Sequence, residues 1–318
     1  MEFLFVIDPP ESLKAYKDTS VAMMRAAQKR GHAIWVCEQQ SLHWREAHVS
    51  AEAHRISLTD NDEDWYRPKE GSELRNSARP LADFDAVLMR KDPPFDLEYV
   101  TSTWLLSAAV RAGARVFNAP DAIRDHNEKL AIAEFARFAA PTLVSRESAR
   151  IQAFIDEERD VVVKRLDVMG GENVFRVRVD DPNRNVIVET ISQGGRRTVM
   201  AQRFIPEIAQ GDKRVILIDG AVVPHCLARI PKAGDSRGNL AAGARGVAQP
   251  LTKRHREIAE AVGPALAKRG LLVVGLDVIG DWLTEVNVTS PTCFREIQDQ
   301  TGFDVSGMFL DALEKKIK

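Results

Sequence analysis

The sequence has few cysteines and no long apolar segment. Its three cysteines are widely spaced and include no Cys-x-x-Cys pair, so neither a disulfide framework nor a zinc site is indicated. The longest stretch without a charged residue covers 12 residues, 99–110, whereas a membrane-spanning helix needs about 18. We therefore expect a protein of the reducing cytoplasm that has no membrane partner.

An excess of charge of one sign is also missing. Lys and Arg number 44, Asp and Glu number 46, and the two signs are interspersed, which gives a net charge of −2. A surface that binds nucleic acid needs a basic excess, so we expect no nucleic acid partner. With 44% hydrophobic and 28% charged residues, the 318-residue chain has the composition of a globular protein and the length of about two domains.

The first third of the chain alternates short apolar runs with helical patterns. This alternation is typical of a parallel sheet, because each crossover helix must cover a face of the sheet. The sequence thus predicts a doubly wound α/β domain to about residue 120, with a polar region of unassigned layout at 41–80. A further helix is predicted from Asp121 to Ala139. The candidate strands are Phe3–Ile7, Ala33–Cys37, Asp85–Met89 and Arg115–Phe117, and helices are predicted after Asp18 and from Asp96 to Ala112.

Beyond residue 140 the pattern changes to antiparallel α+β. The dipeptides Asp219-Gly220 and Gly280-Asp281 separate apolar runs, which is typical of β-hairpins. The candidate strands are Thr142–Val144, Val161–Lys164, Val174–Val179, Val199–Phe204, Arg214–Ile218, Ala221–Ala228, Leu272–Ile279 and Leu283–Val288.

Three polar side chains interrupt the last two of these strands. Asp277, Glu285 and Asn287 carry hard oxygen donors suited to Mg²⁺. A plain two-residue turn at Gly280-Asp281 would pair Asp277 with Thr284 and leave Glu285 on the opposite face. A metal site therefore requires a three-residue loop or a β-bulge, which we predict in place of a tight turn. The alternative is that these residues face water on an edge strand.

Two further segments suggest a phosphate ligand. A strand that ends at Lys164 is followed by Gly170 and Gly171 and a return strand, so that backbone N–H groups can cover phosphates beside a lysine; the same pattern also occurs in plain turns. Residues 237–246 are small-sided and flanked by arginines, as in a mobile lid or a passive surface loop. Arg214 and Arg229 lie on the two arms of the Asp219-Gly220 hairpin, where they face one pocket or form structural ion pairs. The sequence contains no nucleophile motif of the Gly-x-Ser-x-Gly kind, and no dinucleotide-binding Gly-x-Gly-x-x-Gly follows the first strand.

Taken together, these features resemble the ATP-grasp ligases, and specifically the bacterial glutathione synthetases. The resemblance spans nearly the whole chain. It implies an N-terminal α/β domain (1–122), a small ATP-grasp lobe with a linking helix (123–203) and a C-terminal lobe with the metal site and lid (204–318), assembled as a homotetramer. The segments that carry it are Met89–Asp96, Asn127–Leu130, Gly211–Val215, Cys226–Pro231, Arg237–Gly246 and Thr284–Thr292.

The resemblance also implies a role for each candidate site residue. Arg214 and Arg229 would be catalytic, and Asp277, Glu285 and Asn287 would bind two Mg²⁺ ions, for which Mn²⁺ can substitute. ATP would be bound by Lys129, Lys164, Asp167, Met169, Gly170, Gly171, Gln202, Arg203, Phe204, Ile205 and Asp212. The other substrates would be bound by Arg90, Asp92, Arg237, Asn239, Arg245 and Ser290.

The reaction that this resemblance implies is the ATP-dependent ligation of γ-glutamylcysteine to glycine through an acyl phosphate, giving glutathione, ADP and phosphate. Two alternatives stay open: a ligase for another carboxylate and amine, and a nucleotide-binding protein without turnover.

Three departures from the family pattern motivate these alternatives. In the glycine-rich loop, residues 165–171, Arg165 replaces a proline and Val168 replaces a glycine, and in the lid Ala244 replaces a glycine. If position 168 needs a positive φ, valine there costs about 1–2 kcal/mol.

Overall fold

The computed structural model describes residues 1–69, 78–168, 170–234, 237–240 and 243–318. Its N-terminal part alternates strands with helices, as predicted. In chain order the elements are β1 (Glu2–Ile7), α1 (Thr19–Lys29), β2 (Ala33–Glu38), β3 (His43–Arg45), β4 (His48–Ala51), β5 (His54–Leu58), β6 (Tyr66–Pro68), β7 (Arg79–Pro80), β8 (Ala86–Met89), α2 (Leu97–Arg111), β9 (Val116–Phe117) and α3 (Pro120–Asp125).

The prediction of a doubly wound α/β domain is confirmed. The main sheet has the strand order β6-β5-β2-β1-β8-β9, in which β1 is parallel to β2 and β8. Side chains of β1 alternate between two cores: Phe3 and Phe5 pack in the core that contains α1, whereas Leu4 and Val6 pack with α2 and α3. The region 41–80 supplies the antiparallel strands β5 and β6 at one side of this sheet and a small sheet of order β3-β4-β7.

Capping residues fix where the first two long helices begin. The carboxylate of Asp18 accepts a hydrogen bond from the backbone N–H of Val21 (2.8 Å), and that of Asp96 accepts one from Tyr99 (2.9 Å). Caps of this kind stabilise a helix by about 1 kcal/mol. Both starts agree with the sequence prediction.

The single helix predicted from Asp121 to Ala139 is wrong. The helix α3 is short, and the chain resumes as 3₁₀ turns only from Leu130 to Phe138. The cause is Asn127, whose Oδ1 accepts hydrogen bonds from the backbone N–H groups of Lys129 (3.1 Å) and Leu130 (3.0 Å). A side chain that bonds its own neighbouring backbone competes with helical hydrogen bonds and interrupts the helix.

A four-stranded antiparallel sheet of order β10-β13-β11-β12 forms the centre of the chain. Two helices cover one face of this sheet and share with it a hydrophobic core that contains Ile151, Val163 and Val188. The elements are β10 (Thr142–Ser145), α4 (Ser148–Glu158), β11 (Asp160–Arg165), β12 (Val174–Arg178), α5 (Arg184–Ile191) and β13 (Val199–Arg203).

A five-stranded antiparallel sheet of order β16-β15-β14-β17-β18 follows. Every strand predicted beyond residue 140 is found with ends within two residues, whereas β16 and the helices α4 to α8 were not located from the sequence. None of the helices in the described ranges is both long and apolar enough to cross a lipid bilayer. The elements are β14 (Asp212–Ile218), β15 (Ala221–Ile230), β16 (Arg245–Pro250), α6 (Lys253–Lys268), β17 (Val273–Ile279), β18 (Trp282–Asn287), α7 (Phe294–Thr301) and α8 (Val305–Ile317).

Candidate active site

A cavity of about 300 Å³ lies between the central sheet and the C-terminal sheet. Lys164 and Gln202 stand on its central wall, and Asp277 and Glu285 on its C-terminal wall. The volume is at the lower end of the range for small-molecule sites, and both walls carry charged groups. The candidate residues that line it are Asp92, Lys129, Lys164, Gly170, Gly171, Gln202, Arg203, Phe204, Ile205, Asp212, Arg214, Arg229, Arg237, Asn239, Asp277, Glu285, Asn287 and Ser290.

A β-bulge between β17 and β18 brings the two acidic candidates together. Asp277 pairs with Glu285, and the register shifts by one residue between Asp277 and Val278. The extra residue is Thr284, whose hydroxyl donates to the carbonyl oxygen of Asp277 (3.1 Å). The predicted bulge is therefore confirmed. The turn itself stays tight, because Ile279 pairs with Trp282 across Gly280 and Asp281, so the expectation that the bulge would replace a tight turn is wrong.

Two buried arginines neutralise Asp277. Arg214 donates from Nε to Oδ1 (2.5 Å) and from Nη2 to Oδ2 (3.0 Å), and Nη2 of Arg229 lies 2.9 Å from Oδ2. Burial alone would raise the pKa of Asp277, but the two guanidinium groups hold it well below its usual range. The two arginines thus favour the charged form of Asp277, which in turn fixes both arginines at the cavity wall.

Asp212 and Arg229 form a second pair that leaves polar atoms unused. Arg229 donates from Nη2 to Oδ2 of Asp212. Within the described part of the chain, Oδ1 of Asp212 and Nε of Arg229 are buried without a hydrogen-bond partner. Burial raises the pKa of Asp212, and Arg229 opposes that rise. Orphaned buried polar atoms beside a cavity are the groups that a bound ligand can satisfy.

Glu128 and two lysines surround Glu285. Nζ of Lys164 lies 3.6 Å and Nζ of Lys129 lies 3.9 Å from Oε1 of Glu285, and Lys129 also bonds the carboxylate of Glu128. Burial opposes the charge on Lys129, but Glu285 and Glu128 raise its pKa, so the ammonium group stays protonated. The cavity wall therefore carries two lysine side chains beside the carboxylates of Glu128 and Glu285.

The glycine-rich loop is attached to the segment that interrupts the predicted helix. Nδ2 of Asn127 donates to the carbonyl oxygen of Leu166 (2.8 Å), and Nζ of Lys129 donates to that of Val168 (2.7 Å). Gly170 and Gly171 have φ values of +71° and +82°, whereas Val168 is not among the described residues with positive φ. The strain considered for valine at position 168 is therefore absent.

The start of the candidate lid packs against this loop. A Cβ on Gly171 would lie 2.7 Å from Oδ1 of Asn239, and a Cβ on Gly238 would lie 2.7 Å from Cβ of Asp212. A side chain at position 238 would collide with Asp212, and at position 171 the φ of +82° also favours glycine. Residues 237–240 thus roof the cavity, 241 and 242 lie outside the described residues, and Arg245 begins β16.

Three candidates among the described residues are not found at the cavity wall. The guanidinium of Arg90 is buried and donates to Oγ of Ser20 (3.1 Å) and to the carbonyl oxygen of Pro291 (3.0 Å), so it joins two segments behind the wall. Arg245 is exposed in β16, and Asp167 bonds two arginines instead of facing the cavity. Met169 lies outside the described residues.

Two residues at the site, in the segment Asn127–Leu130, were not predicted to be functional from the sequence. Glu128 lines the cavity, and Asn127 both interrupts the helix and holds the glycine-rich loop. The signal available for Asn127 was its chemistry, since asparagine in a predicted helix interior is disfavoured. No sequence signal distinguishes Glu128 from a solvated surface acid.

Two family models cover almost the whole chain. The model described as prokaryotic glutathione synthetase, N-terminal domain, matches residues 1–124, and the one described as prokaryotic glutathione synthetase, ATP-grasp domain, matches residues 128–302. The chain belongs to the prokaryotic glutathione synthetase family. As a member of this family it is an ATP-dependent carboxylate–amine ligase with an ATP-grasp fold.

Similar proteins agree with this family assignment. A glutathione synthetase of Ralstonia nicotianae is 57% identical over 315 residues, 99% of this chain and 96% of that protein. One of Bordetella pertussis is 56% identical over 318 residues, 99% of each chain. A solved D-cycloserine synthetase matches with a TM-score of 0.69 over 99% of this chain and 100% of that chain, and at 16% identity this likeness shows the fold alone.

Proposed function

We propose that the chain ligates γ-glutamylcysteine to glycine with ATP, giving glutathione, ADP and phosphate. The observation that carries the proposal is the pairing of Asp277 with Glu285 across the bulge, which sets acidic oxygens beside Lys129 and Lys164 in one cavity. The names of the similar proteins from Ralstonia and Bordetella support the choice of substrates.

We assign the ATP site to the central half of the cavity. Lys129 and Lys164 are the cations for the phosphates, and Gly170 and Gly171 provide backbone N–H groups above them. Gln202, Arg203, Phe204 and Ile205 line the wall where the adenine would lie. The orphaned Oδ1 of Asp212 is a suitable acceptor for a ribose hydroxyl.

We assign the metal site to Asp277, Glu285 and Asn287, which would hold two Mg²⁺ or Mn²⁺ ions. All three line the cavity with the hard oxygen donors that these cations prefer. Among the described residues no three His, Cys, Asp or Glu side chains form a ready-made metal cluster. Magnesium does not require one, because it usually binds one or two carboxylates together with phosphate oxygens and water. When bound, the ions would neutralise charge that develops on the phosphoryl oxygens.

The proposed reaction needs no covalent bond to the protein. A carboxylate oxygen of γ-glutamylcysteine attacks the γ-phosphorus of ATP, and ADP leaves. The glycine amine then attacks the acyl carbon, phosphate leaves with that carboxylate oxygen, and the amine loses a proton. Burial raises the pKa of Cys226 and of Cys293 to about 11, so neither thiol is poised as a nucleophile.

Arg214 and Arg229 are the groups that would stabilise the reacting oxygens. Both are buried at the wall and fixed by Asp277, so their charges need no reorganisation when the phosphoryl group transfers. Arg229 keeps an unpaired Nε–H for an incoming oxygen. Asp92, Arg237, Asn239 and Ser290 complete the wall toward the acceptor substrates, and the lid would exclude the water that hydrolyses an acyl phosphate.

Three further features remain proposals. We keep the domain limits at residues 122 and 203, a homotetrameric assembly and a cytoplasmic location as parts of this account.

A panel of acceptor pairs tests the proposal. Purified protein with Mg²⁺ and ATP is expected to release phosphate and form glutathione with γ-glutamylcysteine and glycine. Turnover with another carboxylate and amine, and none with this pair, would favour a different ATP-grasp ligase. Nucleotide binding without phosphate release from any pair would indicate a binding protein.

A further inference from the structure

Asp167 lies in the glycine-rich loop but is not among the residues that line the cavity. Arg165 donates to it twice, from Nε to Oδ1 (2.9 Å) and from Nη2 to Oδ2 (2.8 Å), and Arg197 also bonds Oδ2. The hydrogen bonds from Arg165, with help from Arg197, hold the pKa of Asp167 at about 2. The Asp167 carboxylate is therefore held by three hydrogen bonds from two arginines, outside the residues that line the cavity.

The sheet register explains why the two arginines meet one aspartate. β11 pairs with β13, and Arg165 at the end of β11 lies opposite Val199, so Arg197 precedes β13 at the same edge. The side chains of Arg165 and Arg197 are 23% and 34% exposed, which leaves the pairs partly screened by solvent. A bidentate arginine pair joined by a second arginine is more rigid than an isolated surface ion pair.

Three successive residues of the loop are held by separate elements. The carbonyl of Leu166 is bonded by Asn127, the carboxylate of Asp167 by the two arginines, and the carbonyl of Val168 by Lys129. Only the last of these contacts comes from a group that faces the proposed phosphates. Arg165 restrains this end of the loop through its bidentate pair with Asp167.

We propose that Arg165, Asp167 and Arg197 form a charged clamp that positions the glycine-rich loop over the phosphates of ATP. None of the three clamp residues lines the cavity, so they are positioning residues. The inference rests on the ATP site proposed above. It reassigns Asp167 from an ATP contact to the residue that holds the loop.

Replacement of the clamp carboxylate tests this role. In Asp167→Ala the KM for ATP and the dissociation constant of Mg–ATP are expected to rise about tenfold, with the KM for γ-glutamylcysteine within about twofold of wild type. Arg165→Ala and Arg197→Ala should each show a smaller rise, because one arginine remains. Asp167→Glu, which keeps a carboxylate, should restore most of the affinity.

Salt and a matched variant separate positioning from stability. The ratio of KM for ATP between Asp167→Ala and wild type should shrink in 0.5 M KCl, at about 3–5 Å Debye length, because salt weakens the clamp in wild type. The control is Asp156→Ala in the same lobe, which removes a carboxylate paired with Arg184 (2.8 Å) away from the cavity and should leave all constants unchanged.

Two results would overturn the clamp: an unchanged affinity for Mg–ATP in Asp167→Ala, or a parallel rise of both KM values with a fall in melting temperature. Calorimetric binding of Mg–ATP needs no turnover. Binding therefore tests the clamp even if the wild-type protein makes no glutathione. A failure to make glutathione would contradict the proposed function and not the clamp.

Discussion

Asp277 is the carboxylate on which the charged residues of the cavity converge. Arg214 and Arg229 both bond it, and Nδ2 of Asn287 donates to its Oδ2 (3.1 Å). Removal of one partner from a buried ion pair costs about 3–5 kcal/mol, because the remaining charge is left unpaired. Asp277 therefore supports the fold as well as the proposed chemistry, and its variants report on both.

Glu285 gives a cleaner test of chemistry at the residue scale. It is less enclosed and faces Lys164 at 3.6 Å, and glutamine has nearly the same volume. In Glu285→Gln we expect the melting temperature to stay within about 2 °C, while turnover falls about a hundredfold or more. Thermal unfolding measures the melting temperature, and phosphate release at saturating ATP measures turnover.

Glu257→Gln is the control for that variant. Glu257 is exposed on α6 and pairs only with Arg254 among the contacts described (3.0 Å), so its change should leave turnover intact. Turnover at the wild-type rate in Glu285→Gln would remove Glu285 from the mechanism.

At the scale of elements, the β17–β18 hairpin was predictable because charge and register constrain each other. Asp277 and Glu285 lie in apolar strands, so their carboxylates are expected to face the same cavity. With a two-residue turn, this requires one extra residue in one of the two strands. The strand register alone does not predict the position of that residue. Thr284 takes the position because its hydroxyl bonds the strand across from it, an interaction that only coordinates show.

The segment after α3 shows the opposite case. Residues 121–139 have apolar spacing that suits a helix, so the pattern gave no reason to break it. The break comes from Asn127, which bonds backbone N–H groups on one side and the glycine-rich loop, 39 residues away, on the other. Long-range contacts of this kind are invisible to local periodicity.

Two variants of Asn127 separate its two roles. Asn127→Ala should lower the free energy of unfolding by about 1–2 kcal/mol, because both backbone bonds are lost. It should also raise the KM for ATP about fivefold, because the loop loses its bond at Leu166. Asn127→Asp keeps the acceptors but not the donor, so it should recover stability and keep the raised KM. Urea unfolding and steady-state kinetics measure these effects, and recovery of both quantities in Asn127→Asp would contradict the role given to Leu166.

At the scale of the whole molecule, the central sheet has a separate hydrophobic core, whereas the N-terminal and C-terminal sheets pack together. The central lobe has its own core around Ile151 and Val163, whereas the N-terminal and C-terminal sheets contribute to the same two cores. The last helix, α8, returns to α1, where Arg30 pairs with Asp311 (2.7 Å) and Glu314 (3.2 Å). Sequence analysis located the strands of each sheet but not this closure, because it joins residues about 280 positions apart.

This division predicts how the molecule opens. In hydrogen exchange without ligand, amides of β11 to β13 should exchange through a separate and less costly opening than those of β1 and β14. Mg–ATP should slow exchange in the central lobe most, since it would bridge the two walls of the cavity. Equal protection of all three sheets with and without nucleotide would show that the central lobe does not open on its own.

The fate of one oxygen atom tests the proposed ligation most directly. γ-Glutamylcysteine labelled with ¹⁸O in both oxygens of its cysteinyl carboxylate is incubated with the protein, ATP, Mg²⁺ and glycine, and the released phosphate is analysed by mass spectrometry. An acyl phosphate predicts one ¹⁸O atom in each phosphate and one glutathione for each phosphate. Phosphate without label, or label without glutathione, would contradict the reaction proposed for this cavity.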